Sequence, residues 1–144
     1  MILVADTSGL IAASDKNAPE SAGCQSMLAE AGTVVVSPLV LAEVGHLAKA
    51  RFGSAARTTL IDFIVFQGRR GRFRVPEITV DLLETARQVR SQYAGLDLDL
   101  ADTVNVALAA EFRTDSVLTL DRRDFRAITP LTSHPAFRLL PDDR

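Results

Sequence analysis

Met1-Ile-Leu-Val-Ala-Asp-Thr-Ser8 opens the chain with an unbroken apolar run that ends on an acid and two hydroxyls. So short a run reads as a strand buried on both faces, and Asp6-Thr7-Ser8 as the start of the helix behind it. The pattern recurs at Thr33-Val-Val-Val-Ser37, followed by Pro38 at a first helical position, and at Ser116-Val-Leu-Thr119. Strands without polar alternation belong to largely parallel sheets covered by helices on both sides. The chain is therefore expected to be α/β.

Between these strands the sequence predicts helices over 18–31, entered through Pro19-Glu20 and closed by Gly32, and over 39–51, stopped by Gly53. A third covers 54–67, with Ser54 as cap and Gly68 as stop. A fourth covers 79–93, where Val80, Leu83, Ala86, Val89 and Arg90 recur at helical spacing, and a fifth 98–112. Arg69 to Val75 reads as an exposed basic loop running into a third short strand before Pro76. Phe137-Arg-Leu-Leu140 reads as a fifth strand, followed by a polar tail from about 141.

A length of 144 residues and a hydrophobic content of 47% suit one domain, 1–144, with one core. Sixteen basic and eighteen acidic residues leave a net charge of −2, which argues against wrapping nucleic acid by charge alone. A nuclease remains compatible, because clustered carboxylates cancel basic residues elsewhere. Cys24 is the one cysteine, and its neighbours Ala22, Gly23 and Gln25 give no metal-ligand or redox spacing, so it reads as a packing residue. No basic leader precedes the apolar start, and the longest uncharged apolar stretch, Thr33 to Ala42, is about half a membrane span. A cytoplasmic protein with no membrane contact is expected.

Against this frame four acids stand out: Asp6, Glu43, Asp102 and Asp121. Each lies in or beside an apolar run, where a charge is costly without a partner. Each also has an ordinary reading. Asp6 can be a helix cap, and Glu43, within Leu39-Val-Leu-Ala-Glu-Val-Gly-His46, can pair with Lys49 or an arginine. Asp99 and Asp102 share a face at a helix start, where one can cap and the other can meet the helix dipole. Asp124 can cap the segment from Phe125 onward. Yet Asp6 and Asp121 both follow strands, and in α/β sheets sites collect beyond the carboxyl ends of strands. Asn105, one turn after Asp102, and Thr119, two residues before Asp121, are suited to orienting a carboxylate, a water or a phosphate oxygen.

Taken together, the opening eight residues, the Glu43 helix, Leu100-Ala-Asp-Thr-Val-Asn-Val-Ala-Leu-Ala109 and Leu118-Thr-Leu-Asp-Arg-Arg-Asp-Phe125 resemble the PIN-domain proteins, and among them the VapC toxins of toxin–antitoxin pairs. The resemblance spans nearly the whole chain. It implies a three-layer α/β/α fold with a short, mainly parallel central sheet. It also implies a Mg²⁺- or Mn²⁺-dependent endoribonuclease, neutralised by a VapB antitoxin and forming a homodimer. By that matching Asp6, Glu43, Asp102 and Asp121 take the places of an acidic quartet and Thr119 that of a Ser/Thr, with Asp6, Asp102 and Asp121 as metal ligands. Asp99, Asn105 and Asp124 stand as supporting residues. Arg122 and Arg123 are expected to meet RNA phosphates, whereas Arg69, Arg70, Arg72 and Arg74 read as a solvated loop. The helix over 54–67 carries more apolar surface than one core face needs, so it is either buried between neighbours or grooved for a partner helix. Rival readings are a metal nuclease acting on DNA and a non-catalytic domain binding RNA or protein. A nucleotide-binding domain is disfavoured, because no Gly-rich phosphate loop follows the first strand.

Overall fold

The computed structural model describes all residues from Met1 to Arg144. The strands are β1 (Ile2–Ala5), β2 (Thr33–Val36), β3 (Phe73–Arg74), β4 (Ser116–Leu118) and β5 (Arg138–Leu140). The helices are α1 (Thr7–Ser14), α2 (Ser21–Glu30), α3 (Pro38–Phe52), α4 (Ser54–Arg69), α5 (Val80–Gln92), α6 (Leu100–Glu111) and α7 (Arg122–Ala127). A 3-10 turn at Ala94–Leu96 links α5 to α6. All neighbouring strands pair in parallel, in the order β3-β2-β1-β4-β5.

Register explains the three layers. Val4 lies opposite Val35 on one side and Val117 on the other, and Val117 lies opposite Leu139. This fully buried row packs against Ala86 and Val89 of α5, Val104 and Leu108 of α6 and Phe125 of α7. The adjoining row, Ala5, Val36, Leu118 and Leu140, faces Leu10 of α1, Met27 of α2, Val40 and Val44 of α3 and Ile64 of α4. Successive strand residues serve opposite cores because side chains alternate across a sheet. That is why the strands read as continuous apolar runs rather than as alternating ones.

The chain lays β2 and β3 to one side of β1, then returns to place β4 on the other. The order of the strands therefore reverses between β1 and β4, and a crevice opens beyond their carboxyl ends. Asp6 directly follows β1, and Thr119 and Asp121 follow β4. Helix α1 leaves this point pressed against β4: a Cβ on Gly9 would lie 2.6 Å from Leu118 Cγ and 2.7 Å from the Leu118 carbonyl oxygen.

Several local expectations are corrected. Gly53, at φ 97°, precedes α4 and Ser54 is its first helical residue, so Ser54 is not the cap. Gly68 lies inside that helix, and the left-handed turn after it falls on Gly71, at φ 79°. The buried stripe of α5 is Leu82, Ala86 and Val89, whereas Val80 is 80% exposed. Helix α7 begins at Arg122 with Asp121 before it, too short for its periodicity to be read. The polar tail is tied down: Asp142 pairs with Arg122, Asp143 with Arg126 at 2.6 Å and Arg144 with Glu30. No helix is long and apolar enough to cross a membrane.

Gly9→Ala is expected to destabilise the protein by about 1–3 kcal/mol in urea unfolding, because the new methyl meets β4 backbone. Gly45→Ala, within α3 and with nothing inside 4 Å of the added carbon, should instead stabilise by about 0.5–1 kcal/mol.

Candidate active site

Asp6 occupies the position before α1, in extended backbone, yet its side chain makes no capping hydrogen bond. The ordinary reading of this residue is thereby set aside. The residue is 6% exposed, and its carboxylate turns toward the end of β4 and toward α6. Thr119 Oγ1 donates to Asp6 Oδ2 at 2.9 Å, Ser8 Oγ reaches the same oxygen at 3.4 Å, and Asn105 Nδ2 donates to Oδ1 at 3.4 Å.

These groups lock the β1 and β4 corners together. The Thr119 hydroxyl spends its proton on Asp6 and accepts the backbone N–H of Asp121 at 2.9 Å. Ser8 Oγ accepts the backbone N–H of Leu120 at 2.9 Å and lies 3.2 Å from Thr119 Oγ1. Thr119 thus acts through its hydroxyl and the turn it braces, beyond the end of β4, rather than through the pleat of a strand. Ser8 is a site residue that the sequence presented only as part of a helix start. Its one signal was its place two residues after Asp6, on the first turn of α1.

On the α6 side, Asp99 and Asp102 form a reciprocal capping box. Asp99 Oδ1 accepts the Asp102 N–H at 2.9 Å, and Asp102 Oδ2 accepts the Asp99 N–H at 3.3 Å. The local role expected of these residues holds, and it aims Asp102 into the crevice. Carboxylate oxygens of Asp102, Asp121 and Asp124 lie within 4.8 Å of one another. Asp124 therefore joins Asp102 and Asp121 in the tightest acidic cluster, and Asp6 stands beside that trio with both its oxygens already engaged.

Glu43 of α3 is half-buried and accepts from Thr7 Oγ1 at 3.4 Å. No cation pairs with it, since the ion pairs of the structure are Arg87–Glu84, Arg122–Asp142, Arg126–Asp143 and Arg144–Glu30. His46, one turn on, is exposed. Cys24 is fully buried, and burial pushes its thiol up to about 11, as befits a packing residue.

Electrostatics bind the acids into one unit. Burial raises the Asp6 carboxyl above its ordinary value, and the charges of Asp121 and Asp99 add to this against the Thr119 hydrogen bond. Burial followed by Asp99 and Asp6 pushes Asp102 up to about 8. Glu43 is raised by burial, then by Asp99 and Asp6, and Asp121 by burial, then by Asp124. Two like charges about 4 Å apart repel by roughly 4 kcal/mol at an effective dielectric near 20. Three hard oxygen donors without an ion pair suit a divalent cation of Mg²⁺ or Mn²⁺ type.

The two candidate arginines part company. Arg122 is paired with Asp142 of the tail, whereas Arg123 is exposed, makes no ion pair and lowers the Asp121 carboxyl by its charge. Arg69, Arg70 and Arg72 lie before β3, at the amino ends of the parallel strands, opposite the acidic crevice. Arg72 donates to the carbonyls of Leu28, Ala29 and Ala31 at 2.9, 3.2 and 2.7 Å, closing the carboxyl end of α2.

Three buried side-chain polar atoms lack a hydrogen-bond partner: Arg122 Nε, which is nevertheless ion-paired with Asp142, and the two acceptors Asn105 Oδ1 and Gln67 Oε1. An acceptor left so costs about 1–3 kcal/mol. Gln67 lines a groove of about 760 Å³ formed with Leu10, Leu28, Phe52, Leu60 and Phe63. Phe63 and Phe52 are 41% and 39% exposed, so α4 is grooved rather than sandwiched between neighbours.

A carboxyl whose folded pKa lies above its unfolded value favours the folded chain at acid pH, and that contribution disappears as pH rises through the folded value. Without divalent cation, thermal stability should therefore fall between about pH 4 and pH 8, the window set by Asp102. Asp102→Asn should flatten that fall. Millimolar Mg²⁺ or Mn²⁺ should raise the melting temperature more at pH 8 than at pH 6, because protons compete for the same oxygens; scanning calorimetry at both pH values checks this.

Known proteins share the fold of this chain and part of its sequence. The chain is 32% identical to Ribonuclease VapC26 of Mycobacterium tuberculosis over 130 residues, 90% of this chain and 93% of that one. Its fold superposes on the crystal structure of Mycobacterium tuberculosis VapC20, a sarcin-ricin loop cleaving toxin, with TM-score 0.74 at 20% identity, covering 84% of this chain and 91% of that one. It also superposes on Rickettsia felis VapBC2 bound to a promoter DNA fragment, with TM-score 0.67 at 19% identity over 92% and 96% of the two chains. A toxin–antitoxin complex from Klebsiella pneumoniae gives TM-score 0.61 at 21% identity, covering 94% and 98%. The PIN domain family matches residues 3–129, and β5, beyond the matched segment, continues the same sheet. With its parallel five-stranded sheet and its acids gathered where the strand order reverses, the chain belongs to the PIN domain family.

Proposed function

We propose that this protein is a divalent-metal-dependent endoribonuclease acting as the toxin of a toxin–antitoxin pair. The observation that carries the reading is the cluster of Asp102, Asp121 and Asp124 beside the braced Asp6, at the crevice between β1 and β4. Asp102, Asp121 and Asp124 would hold Mg²⁺ or Mn²⁺, with Asp6 as the further acid of the set. Such an ion polarises a phosphate and acidifies water. Glu43, raised by burial and held by Thr7, is the proton acceptor in this reading. Thr119, Ser8 and the Asp99 capping box keep the acids in place. Arg123 meets a substrate phosphate, whereas Arg122 serves the tail. Hydrolysis by water needs no 2′-hydroxyl, so RNA preference arises from contacts outside the acidic cluster. The compartment of action is the cytoplasm.

The partner in this reading is a VapB-type antitoxin, docking an apolar segment in the groove of α1, α2, α3 and α4. Its support is the exposed Phe63 and Phe52, the unpaired Gln67 oxygen and the fold shared with toxin–antitoxin complexes. A second copy of the chain has its own surface in Val65 and Phe66, 55% and 58% exposed and outside the groove lining.

Purified protein should cut RNA with Mg²⁺ or Mn²⁺, leave 5′ phosphate ends and stop in EDTA. Asp6→Asn and Asp102→Asn should each lower the rate by at least about two orders of magnitude while keeping the fold by circular dichroism. Equal cutting by wild type and both variants sinks the assignment, and cleavage of single-stranded DNA alone moves it to a deoxyribonuclease.

Arg123→Ala should weaken RNA binding and reduce the slope of log affinity against log salt by about one, with Arg122→Ala changing the slope less. Phe63→Glu should leave RNA cleavage intact and abolish neutralisation by the cognate VapB-type antitoxin, read as loss of growth rescue on co-expression.

A further inference from the structure

Asn105 sits in the middle of α6 between Val104 and Val106, in the interior of the protein. It is 0% exposed. An amide there is an unusual choice. The helix around it is built of Ala101, Val104, Val106, Ala107 and Leu108, all buried and apolar. A leucine has the same branching as asparagine and would suit such a position without leaving a polar atom stranded. The amide instead leaves Oδ1 buried without any partner. Its other atom, Nδ2, donates to Asp6 Oδ1 across the space between α6 and β1. The chain therefore retains a buried polar defect whose one visible return is a hydrogen bond to the most buried of the site carboxylates.

That bond differs from the others on Asp6. Thr119 and Ser8 both approach Oδ2, from β4 and α1. Asn105 alone holds Oδ1. With donors on a single oxygen the carboxylate is free to swing about its Cβ–Cγ bond. A donor on the second oxygen, from a different element, sets the plane of the group and hence the direction of its remaining lone pairs. We infer that Asn105 is a positioning residue: it holds the plane of the Asp6 carboxylate so that Asp6 can act with Asp102, Asp121 and Asp124 toward a divalent cation. This deepens the metal-dependent reading above and rests on it.

The role separates cleanly from a packing role, because packing and positioning predict opposite responses to an apolar replacement. Asn105→Leu removes the stranded oxygen and keeps the branching. Asn105→Ala is the second variant, free of any overpacking. Two quantities are read on the full chain: the melting temperature in EDTA, and the affinity for Mn²⁺ alone by electron paramagnetic resonance of the free ion. Wild type and Asp6→Asn serve as references. In the expected result Asn105→Leu melts at or above the wild-type temperature in EDTA, and both variants bind Mn²⁺ about tenfold more weakly or worse, as is usual when a group supporting a metal ligand is lost. RNA cleavage by both variants should fall at low Mn²⁺ and recover at high Mn²⁺, with KM for RNA unchanged. Mn²⁺ affinity equal to wild type in either folded variant overturns the inference, as does a fall in kcat that excess Mn²⁺ does not restore. Equal Mn²⁺ affinity in wild type and Asp6→Asn likewise overturns the inference, because Asp6 then contributes nothing to the site. A wild type that binds no Mn²⁺ sinks the metal-dependent reading itself, a result distinct from a normal wild type beside normal Asn105 variants.

Discussion

The burial of one carboxylate governs the rest of this site. Asp6 is withdrawn from water at the end of β1, and a charge so placed survives only where donors surround it. The donors come from three separate elements: Thr119 beyond β4, Ser8 on α1 and Asn105 on α6. Satisfying Asp6 therefore requires β1, β4, α1 and α6 to meet at one corner. Gly9 permits that meeting, because α1 passes over Leu118 too closely for any side chain. Packing and polar satisfaction converge on the same few ångströms of backbone.

Around this anchor the acids are arranged to be incomplete. Asp102 is aimed by its capping box with Asp99, and Asp121 stands just before α7, after a turn braced by Thr119. Asp124 follows within the first turn of α7. Each position is ordinary in local terms. Burial and mutual repulsion both oppose ionisation and raise the carboxyls of Asp6, Glu43, Asp102 and Asp121, Asp102 most visibly. A cation with oxygen preference relieves the two effects at once.

The surfaces divide as the sheet does. The acidic crevice lies at the carboxyl ends of the strands, with Arg123 beside it. The basic segment before β3 lies at the amino ends, where Arg72 closes α2. The apolar groove lies on the face of α1, α2, α3 and α4. A protein can therefore hold a partner in the groove without giving up residues of the crevice, so docking and catalysis can vary independently in sequence.

Much of this was legible before any coordinates. Apolar runs at Met1–Ala5, Thr33–Val36 and Ser116–Leu118 announce buried parallel strands because a strand covered on both faces has no polar side to show. Asp6, Glu43, Asp102 and Asp121 were marked by the cost of charge within apolar surroundings, and the structure sets all four in one electrostatic neighbourhood. What the chain alone could not decide was which of several locally equivalent groups does which task. Asp6 and Asp99 both precede helices, yet only Asp99 caps; Arg122 and Arg123 are adjacent, yet only Arg122 is tied to the tail. Asn105 reads from the sequence as a supporting residue, but the carboxylate it holds, Asp6, and the Thr119 hydroxyl that Ser8 meets each lie about a hundred positions away. Periodicity and cost of burial are local properties and can be read from neighbours in sequence, whereas the direction of a side chain is settled by what the fold brings opposite it.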